Sequence, residues 1–554
     1  MVEEKKNKIF TPIFIASASV SAIIAIASLV SPDLLAAGLT SGQQVLSVVY
    51  GWFAMLIPFL CMMLLLALGL PSKYSHIVIG GQDAKPDYSM FSWLAMLFSA
   101  SIGMGIIYFA VNEPLFAFAL SPGSTEAPSV MEAARHAMGT TLQHWGVSVW
   151  AIFSVSGLVF SYFVFKYKTK YLPGDIIHRA WSKRGWSKAT ANLVNVTACV
   201  CSAMTIAATL GLGSVQLATG ITNIFGLDPA WRSVLPYIML GILVLMGLPA
   251  ATTKKVGNGM RILGGWNAYI CIGVMVYAIV VGPTRYIFEQ MVHTTGRYFA
   301  EIIPRNFDMF IFSADPIYSH TWTVANNMWW LSWTPFMAVF IASISKGRTI
   351  RQFSFATMFI PAAFLLIWHS TFGATALLNL IQGDGSIAAH ALESPDMTFF
   401  AILETLPLTQ FITIASVILL LFFLATSITS GALALGRMTD IEGKNPAPAR
   451  CAVWALIMSG IALTGIFAAQ IGGEGALIAI RSLATTMAYP YMFVFILLTT
   501  AFLRQLKRDE ERNPTPNPKV ASGAELLALR ERIAALEAAT SHRKNEADGP
   551  ESEG

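Results

Sequence analysis

SASIGMGIIYFAVNEPLFAF, residues 99–118, is an apolar run long enough to cross a bilayer as helix, yet its own glycines interrupt it. Gly103 and Gly105 carry no side chain, so the backbone there is free to unwind or to approach a ligand closely. The pair Glu113-Pro114 lies in the same stretch. Irregular backbone at membrane depth is tolerated only where it is buried in protein or lines a cavity, and an interrupted span points to a transport site. Glycines that let two helices pack closely are the competing structural reading, and this stretch alone leaves both open.

The rest of the chain supplies the membrane. Of 554 residues, 55% are hydrophobic and 12% charged, with a mean hydropathy of +0.60, against roughly 25% charged residues in a soluble domain. Continuous rather than alternating apolar runs exclude a β-barrel and predict an all-α polytopic membrane protein. Candidate spans fall near 10–31, 47–70, 91–119, 145–167, 189–212, 232–250, 265–290, 322–344, 353–379, 408–436, 449–470 and 484–503, twelve in all. The net charge of +5 sits in connections between spans, which implies orientation in a membrane and no nucleic-acid partner. Cys61, Cys199, Cys201, Cys271 and Cys451 lie in or beside apolar segments without metal-site spacing and read as packing residues. The amino terminus, MVEEKKNKIF, leads into a long run with no evident cleavage site, so a retained signal-anchor span is expected.

Charge sets the orientation. Connections 166–188, 251–264, 345–352 and 437–450 carry Lys166, Lys168, Lys170, Lys254, Lys255, Lys346, Arg348, Arg351 and Arg437 among others, whereas the outer connections 222–231 and 380–407 contain no Lys or Arg. The positive-inside rule therefore places both termini in the cytoplasm. Lys346, Arg348 and Arg351 read as inside anchors, with a cytoplasmic gate or lipid contact as the alternative. After Arg504 a charged segment and the proline-rich NPTPNP precede a stretch in which Leu526, Leu529, Ile533 and Leu536 recur at 3-4-3 spacing. That pattern predicts an amphipathic helix over 523–540, either solvated or packed on a neighbouring subunit or on lipid. Its Arg530 and Arg532 are balanced by Glu525, Glu531 and Glu537, so it is not strongly basic, and constitutive or weakly regulated activity is expected.

Two aromatic clusters stand out. NNMWWLSWTPF, residues 326–336, brings Trp329, Trp330 and Trp333 into one span; HWGVSVWAIFSVSGLVFSYF, residues 144–163, carries Trp145, Trp150 and Phe153. Interfacial belts and core packing explain such residues singly. Together they suit the binding of a quaternary ammonium, which has no N–H to donate and is held selectively by π-faces, of which Trp is the best. A ring of carboxylates would be less selective, and no span places an Asp or Glu in mid-run beside these aromatics.

GMGIIYFAVNEPL at 103–115, HWGVSVWAIF at 144–153 and WWLSWTPFMAVFIASISKGRTIRQF at 329–353 together resemble the betaine/carnitine/choline transporter family, in the same order and over residues 10–505. The resemblance implies twelve spans with a LeuT-like five-plus-five inverted repeat. On that plan residues 1–9 form a cytoplasmic segment, 10–90 two peripheral spans and a linker, 91–290 the first repeat, 291–321 an extracytoplasmic connection, 322–504 the second repeat and 505–554 the cytoplasmic tail. It also implies a homotrimer among membrane lipids of a bacterial inner membrane. Its aromatic box corresponds to Trp145, Trp150, Phe153, Trp329, Trp330 and Trp333, with Trp330 as the central face and Trp333 joining when the inward path opens. Phe153 departs from the tyrosine of betaine carriers. Met104, Gly105 and Ile107 belong to the unwound stretch that meets the substrate.

The family further implies Na⁺ as coupling ion and no organic cofactor. One Na⁺ lies between unwound backbone near Ser101 and Met104 and the hydroxyls of Thr426 and Ser427 in FLATSI, residues 423–428, oxygen ligands that suit a hard cation. Read without the family, those hydroxyls would bond their own helix. A second sodium region resembles CSAMTIAATLGLG, residues 201–213, but Ile206 stands where a threonine is used, leaving Ser202, and Thr429 replaces an aspartate. No Arg or Lys lies near these positions, which disfavours sodium-independent exchangers. Choline-type members carry an acidic group where Ile107 stands, so a zwitterion such as glycine betaine, carnitine or dimethylsulfoniopropionate is expected over choline.

Other classes fit less well. A channel needs a continuous polar pore and no filter string is present. An enzyme needs a paired acid and base; Glu113 and His369 are the most intramembrane ionisable residues, but nothing in the sequence joins them. Glu113 reads as a helix-end carboxylate beside Pro114 or as an outer gate, and His369 as a satisfied core histidine.

Overall fold

The computed structural model describes residues 10–102, 104–252, 256–440, 446–472 and 474–512, together with Leu527 and Glu531. The principal helices are α1 (Pro12–Val30), α2 (Pro32–Gly69), α3 (Met90–Ile102), α4 (Gly105–Leu120), α5 (Val130–Trp145), α6 (Val147–Tyr167), α7 (Ser187–Phe225) and α8 (Leu235–Thr252). They continue as α9 (Val256–Val281), α10 (Thr284–Phe307), α11 (Thr323–Ile344), α12 (Ile350–Gln382), α13 (Thr409–Met438), α14 (Pro448–Gly472) and α15 (Glu474–Arg512). The extended pairing among the described residues is the isolated bridge between Val78 and Thr349. The apolar runs read from the sequence are helical over most of their length, and the one expected at 265–290 is broken at Gly282-Pro283. Eight helices among the described residues are long and apolar enough to cross a membrane, and shorter apolar helices include Met90–Ser99 and Gly105–Leu120. α11 is in neither group, because two asparagines and three tryptophans lower its hydropathy.

Local chemistry sets the ends. Pro12 opens α1 behind Thr11, whose hydroxyl accepts from Phe14 N at 3.1 Å, and Thr349 with Gln352 forms a capping box at the start of α12. Three departures from the sequence reading follow from its reliance on apolar runs. α2 begins at Pro32, well before the expected 47. α5 precedes the fourth span as a separate helix, ended at Gly146. α10 fills the first half of the connection expected at 291–321; it is amphipathic, with Arg285–Glu289, Arg297–Glu301 and Arg305–Glu301 pairs one turn apart and Ile287 and Tyr298 buried. The outer connection at 222–231 also continues into Arg232, so its lack of basic residues ends at the short 3₁₀ turn Pro229–Ser233.

α6 and α11 are apolar on every side, and such helices belong inside a bundle. They pack along each other, α6 also touching α2 and α12 and α11 touching α7 and α15, while α4 lies on α12 and α5, and α9 on α3 and α13. The turn between α11 and α12 is locked to the α2–α3 connection: Gly347 N donates to Ile79 O at 2.7 Å and Ile350 N to Ile77 O at 2.9 Å. Gly347 has φ +78°, and a Cβ there would lie 2.3 Å from the backbone of Lys85 and Pro86. Arg348 is buried in this turn, its guanidinium 4.8 Å from the Trp93 ring and donating to Tyr88 O at 2.6 Å, and Arg351 donates to Gly69 O at 3.1 Å. These arginines hold the fold, beyond any orienting charge they supply.

All five cysteines are buried and unpaired, as their apolar settings imply. At the far end of α15 the carboxylate of Asp509 accepts from the hydroxyls of Tyr162 and Tyr167 and lies 2.9 Å from Lys166 Nζ. The helix expected at 523–540 lies outside the described residues apart from Leu527 and Glu531, which are helical.

Candidate functional site

The interrupted span is two helices. α3 ends at Ile102 and α4 starts at Gly105, with Gly103 and the Ser101 side chain outside the described residues. Met104 is buried at the junction, and its carbonyl accepts from the backbone N–H of both Ile107 and Tyr108 at 3.1 Å. Gly105 faces the rings: a Cβ there would lie 2.9 Å from Cη2 of Trp145, so the backbone approaches the indole as only glycine allows.

Trp330 is the hub of the cluster. Its ring centroid is 5.6 Å from Trp145, 5.4 Å from Trp150 and 4.9 Å from Phe153, and Trp150 and Phe153 meet edge-on at 5.8 Å. On the other side Trp329 and Trp333 are 6.2 Å apart, and Trp333 contacts Phe336 at 5.7 Å. Met104, Gly105, Trp145, Phe153, Trp329, Trp330 and Trp333 line one cavity of about 20 Å³, together with Thr209 of α7. That volume is close to what one water needs, so a methylated ammonium group enters only as the rings move apart. Trp150 backs Trp330 without lining the cavity, and Ile107 is buried beside it. Thr209 lies within the 201–213 stretch, where the sequence reading weighs Ser202 and Ile206 and passes over this hydroxyl, which donates to Thr205 O at 3.1 Å.

A buried polar network adjoins the cluster. Glu113 lies inside α4 rather than at a helix end; its Oε1 meets His144 Nδ1 at 2.5 Å and accepts from Trp322 Nε1 at 2.9 Å. His144 Nε2 is 3.1 Å from the Thr323 hydroxyl, and the His144 carbonyl accepts from Trp330 Nε1 at 2.9 Å and from Asn326 Nδ2 at 3.2 Å. The mid-span carboxylate thus meets Trp322 and His144, and the base within hydrogen-bond reach of Glu113 is His144. HW at 144–145 carried that signal. His369 packs on Trp145 at 5.6 Å between centroids; Nδ1 bonds Leu365 O at 2.9 Å while Nε2, buried, has no protein partner, so it is only half satisfied.

Below the cluster, Thr426 and Ser427 sit buried on α13 where it meets α3 and α9. Each donates its hydroxyl proton to the carbonyl one turn back, Thr426 to Phe422 O at 2.8 Å and Ser427 to Phe423 O at 3.0 Å, which leaves oxygen lone pairs for a cation. Ser202 likewise donates to Ala198 O at 2.9 Å, and Ile206, packed against Gly431, offers no oxygen at its position. Among the described residues no cluster of His, Cys, Asp and Glu has the makings of a transition-metal site.

An interrupted apolar helix closed over by facing aromatic spans defines a multi-span membrane transporter. Residues 12–511 match the family described as BCCT, betaine/carnitine/choline family transporter, and the chain belongs to that family. It is 30% identical over 508 residues to the ectoine/hydroxyectoine transporter of Virgibacillus pantothenticus, covering 92% of this chain and 98% of that one. Identity to the high-affinity choline transport protein of Escherichia coli (strain K12) is 28% over 533 residues, 96% of this chain and 76% of that one. Identity to the glycine betaine transporter OpuD of Bacillus subtilis (strain 168) is 29% over 521 residues, 91% and 97% of the two chains. These relatives are transporters, not enzymes.

Proposed function

We propose that the chain is a secondary active transporter that imports a quaternary ammonium or sulfonium zwitterion, of the glycine betaine, carnitine or dimethylsulfoniopropionate kind, by sodium symport through the aromatic cluster. The contact of Trp330 with Trp145, Trp150 and Phe153 carries this reading. Indole faces that part around a methylated cation offset its lost hydration, each desolvated face contributing about 2 kcal/mol. The carboxylate of a zwitterion is met at the start of α4, where backbone N–H groups and the helix dipole favour an anion. Na⁺ takes the hydroxyl oxygens of Thr426 and Ser427 with carbonyls at the end of α3, and stabilises the break that shapes the substrate side. The assembly is a homotrimer in a bacterial inner membrane, with twelve spans arranged as two inverted repeats.

A choline-type cation is the second reading: Glu113 brings negative charge to the His144 side of the cluster, and one relative is named for choline. Uptake into proteoliposomes of labelled glycine betaine, carnitine, dimethylsulfoniopropionate and choline, with Na⁺ or K⁺ outside, separates the cases. Accumulation of a zwitterion only under an inward Na⁺ gradient supports the first reading. Preferred uptake of choline supports the second, and counterflow without Na⁺ removes symport.

A further inference from the structure

Asn267, in the middle of α9, is fully buried, and its side-chain amide is half used. Its Nδ2 donates to the Ser99 hydroxyl on the last turn of α3 and, at 3.4 Å, to Thr426 Oγ1 on α13, whereas its Oδ1 has no partner among the described residues. A buried carbonyl oxygen without a donor is costly to keep. It is brought there by close helix contact: one turn earlier on α9, a Cβ at Gly264 would lie 3.4 Å from Met96 Cα, so α9 and α3 touch through backbone.

The surroundings select what Oδ1 binds. α3 ends at Ile102, and the last carbonyls of a helix have no partners within it and carry the negative end of its dipole. Thr426 and Ser427 have spent their protons on Phe422 and Phe423 carbonyls and turn lone pairs outward. Neutral oxygens without a carboxylate suit a hard monovalent cation better than a divalent or transition metal. The amide donor of this set, Nδ2, is spent on Ser99 and on one lone pair of Thr426 Oγ1, which leaves Oδ1 as the free end of the amide.

We infer that Asn267 Oδ1 is a direct ligand of the alkali cation at Thr426 and Ser427, and that Ser99 orients it by fixing Nδ2. This extends the cation site to a third helix and rests on the sodium-symport reading. Because α9 is packed on both α3 and α13, a cation held by all three clamps the break in the interrupted span from behind.

The test uses the full chain in lipid nanodiscs, titrated with NaCl at constant ionic strength against N-methylglucamine chloride, reading tryptophan fluorescence and the thermal unfolding midpoint. Asn267→Ala is expected to raise the half-saturating Na⁺ concentration roughly tenfold, with substrate affinity at saturating Na⁺ unchanged. Asn267→Asp keeps the oxygen and adds charge, so its half-saturating Na⁺ falls; this variant decides the matter should Asn267→Ala not fold. Ser99→Ala shifts Na⁺ in the same direction as Asn267→Ala but less. Unchanged Na⁺ titration in Asn267→Ala or Asn267→Asp, with Thr426→Ala losing the response, overturns the assignment of Asn267 alone. Absence of any saturable Na⁺ response in the unmodified chain overturns the sodium reading and the inference with it.

Discussion

The indole N–H of Trp330 donates to the carbonyl oxygen of His144 at 2.9 Å, so the hub of the aromatic cluster on α11 is tied to the junction of α5 and α6. Trp330 thus has two jobs, a π-face and a tether. They separate by substitution. Trp330→Phe keeps a smaller face and drops the tether; Trp330→Leu drops both. Losing one desolvated cation–π face costs about 2 kcal/mol, so Trp330→Leu is expected to weaken substrate binding roughly thirtyfold, and Trp330→Phe less, by isothermal titration on the purified protein. Equal affinity in Trp330→Leu and the unmodified protein would return the cluster to a packing role.

The carboxylate of Glu113 meets the buried ring of His144 and accepts from the half-buried indole of Trp322. Glu113→Ala strands two polar groups, each costing about 1–3 kcal/mol, and the unfolding midpoint in detergent drops accordingly. Glu113→Gln keeps one carbonyl acceptor and loses less. Since the His144 carbonyl also holds Trp330, KM is expected to rise in both variants, and more in Glu113→Ala. A stability loss with unchanged KM would confine the network to folding.

Much of this was legible in the residues. The glycines at 103 and 105 announce the break between α3 and α4, and Trp145, Trp150 and Phe153 of the aromatic set do pack on Trp330. What escaped depends on contacts distant in sequence. His144 and Glu113 are 31 residues apart and Asn267 and Thr426 are 159 apart, and no local pattern states such pairings. α10 escaped for a different reason: its charges pair along the helix and hide it from a hydropathy reading.

Gly105 tests how tightly the break is fitted to the rings. A methyl group there would lie 2.9 Å from Trp145 Cη2, and Trp145 is itself pressed between Phe109, Trp330 and His369, so it can yield only into the small cavity it lines. Gly105→Ala is expected to cost about 1–3 kcal/mol in overpacking and to lower substrate affinity by displacing Trp145. Thermal unfolding reads the first effect and ligand titration the second. Unchanged affinity in a destabilised variant would mean that Trp145 moves without mattering to the ligand.

Asp509 gives a contrasting case, far from the cavity yet joined to its scaffold. Its carboxylate accepts from Tyr162 and Tyr167 at the C-terminal end of α6, the helix whose N-terminal half carries Trp150 and Phe153, and Lys166 and Gln505 complete its shell at 2.9 Å. Asp509→Asn keeps one acceptor oxygen, turns the other into a donor facing a tyrosine hydroxyl, and leaves Lys166 without its counter-charge. The expected loss is about 1–3 kcal/mol of stability, read as a lower unfolding midpoint, since charge-assisted bonds are the strong ones. Asp509→Glu, one methylene longer, recovers part of it. Affinity for substrate should stay as it is, because the clamp holds the C-terminal end of α6 to α15 while the rings are fixed by their own contacts with α11. A fall in affinity in Asp509→Asn would show instead that the base of the tail is coupled through α6 to the aromatic cluster.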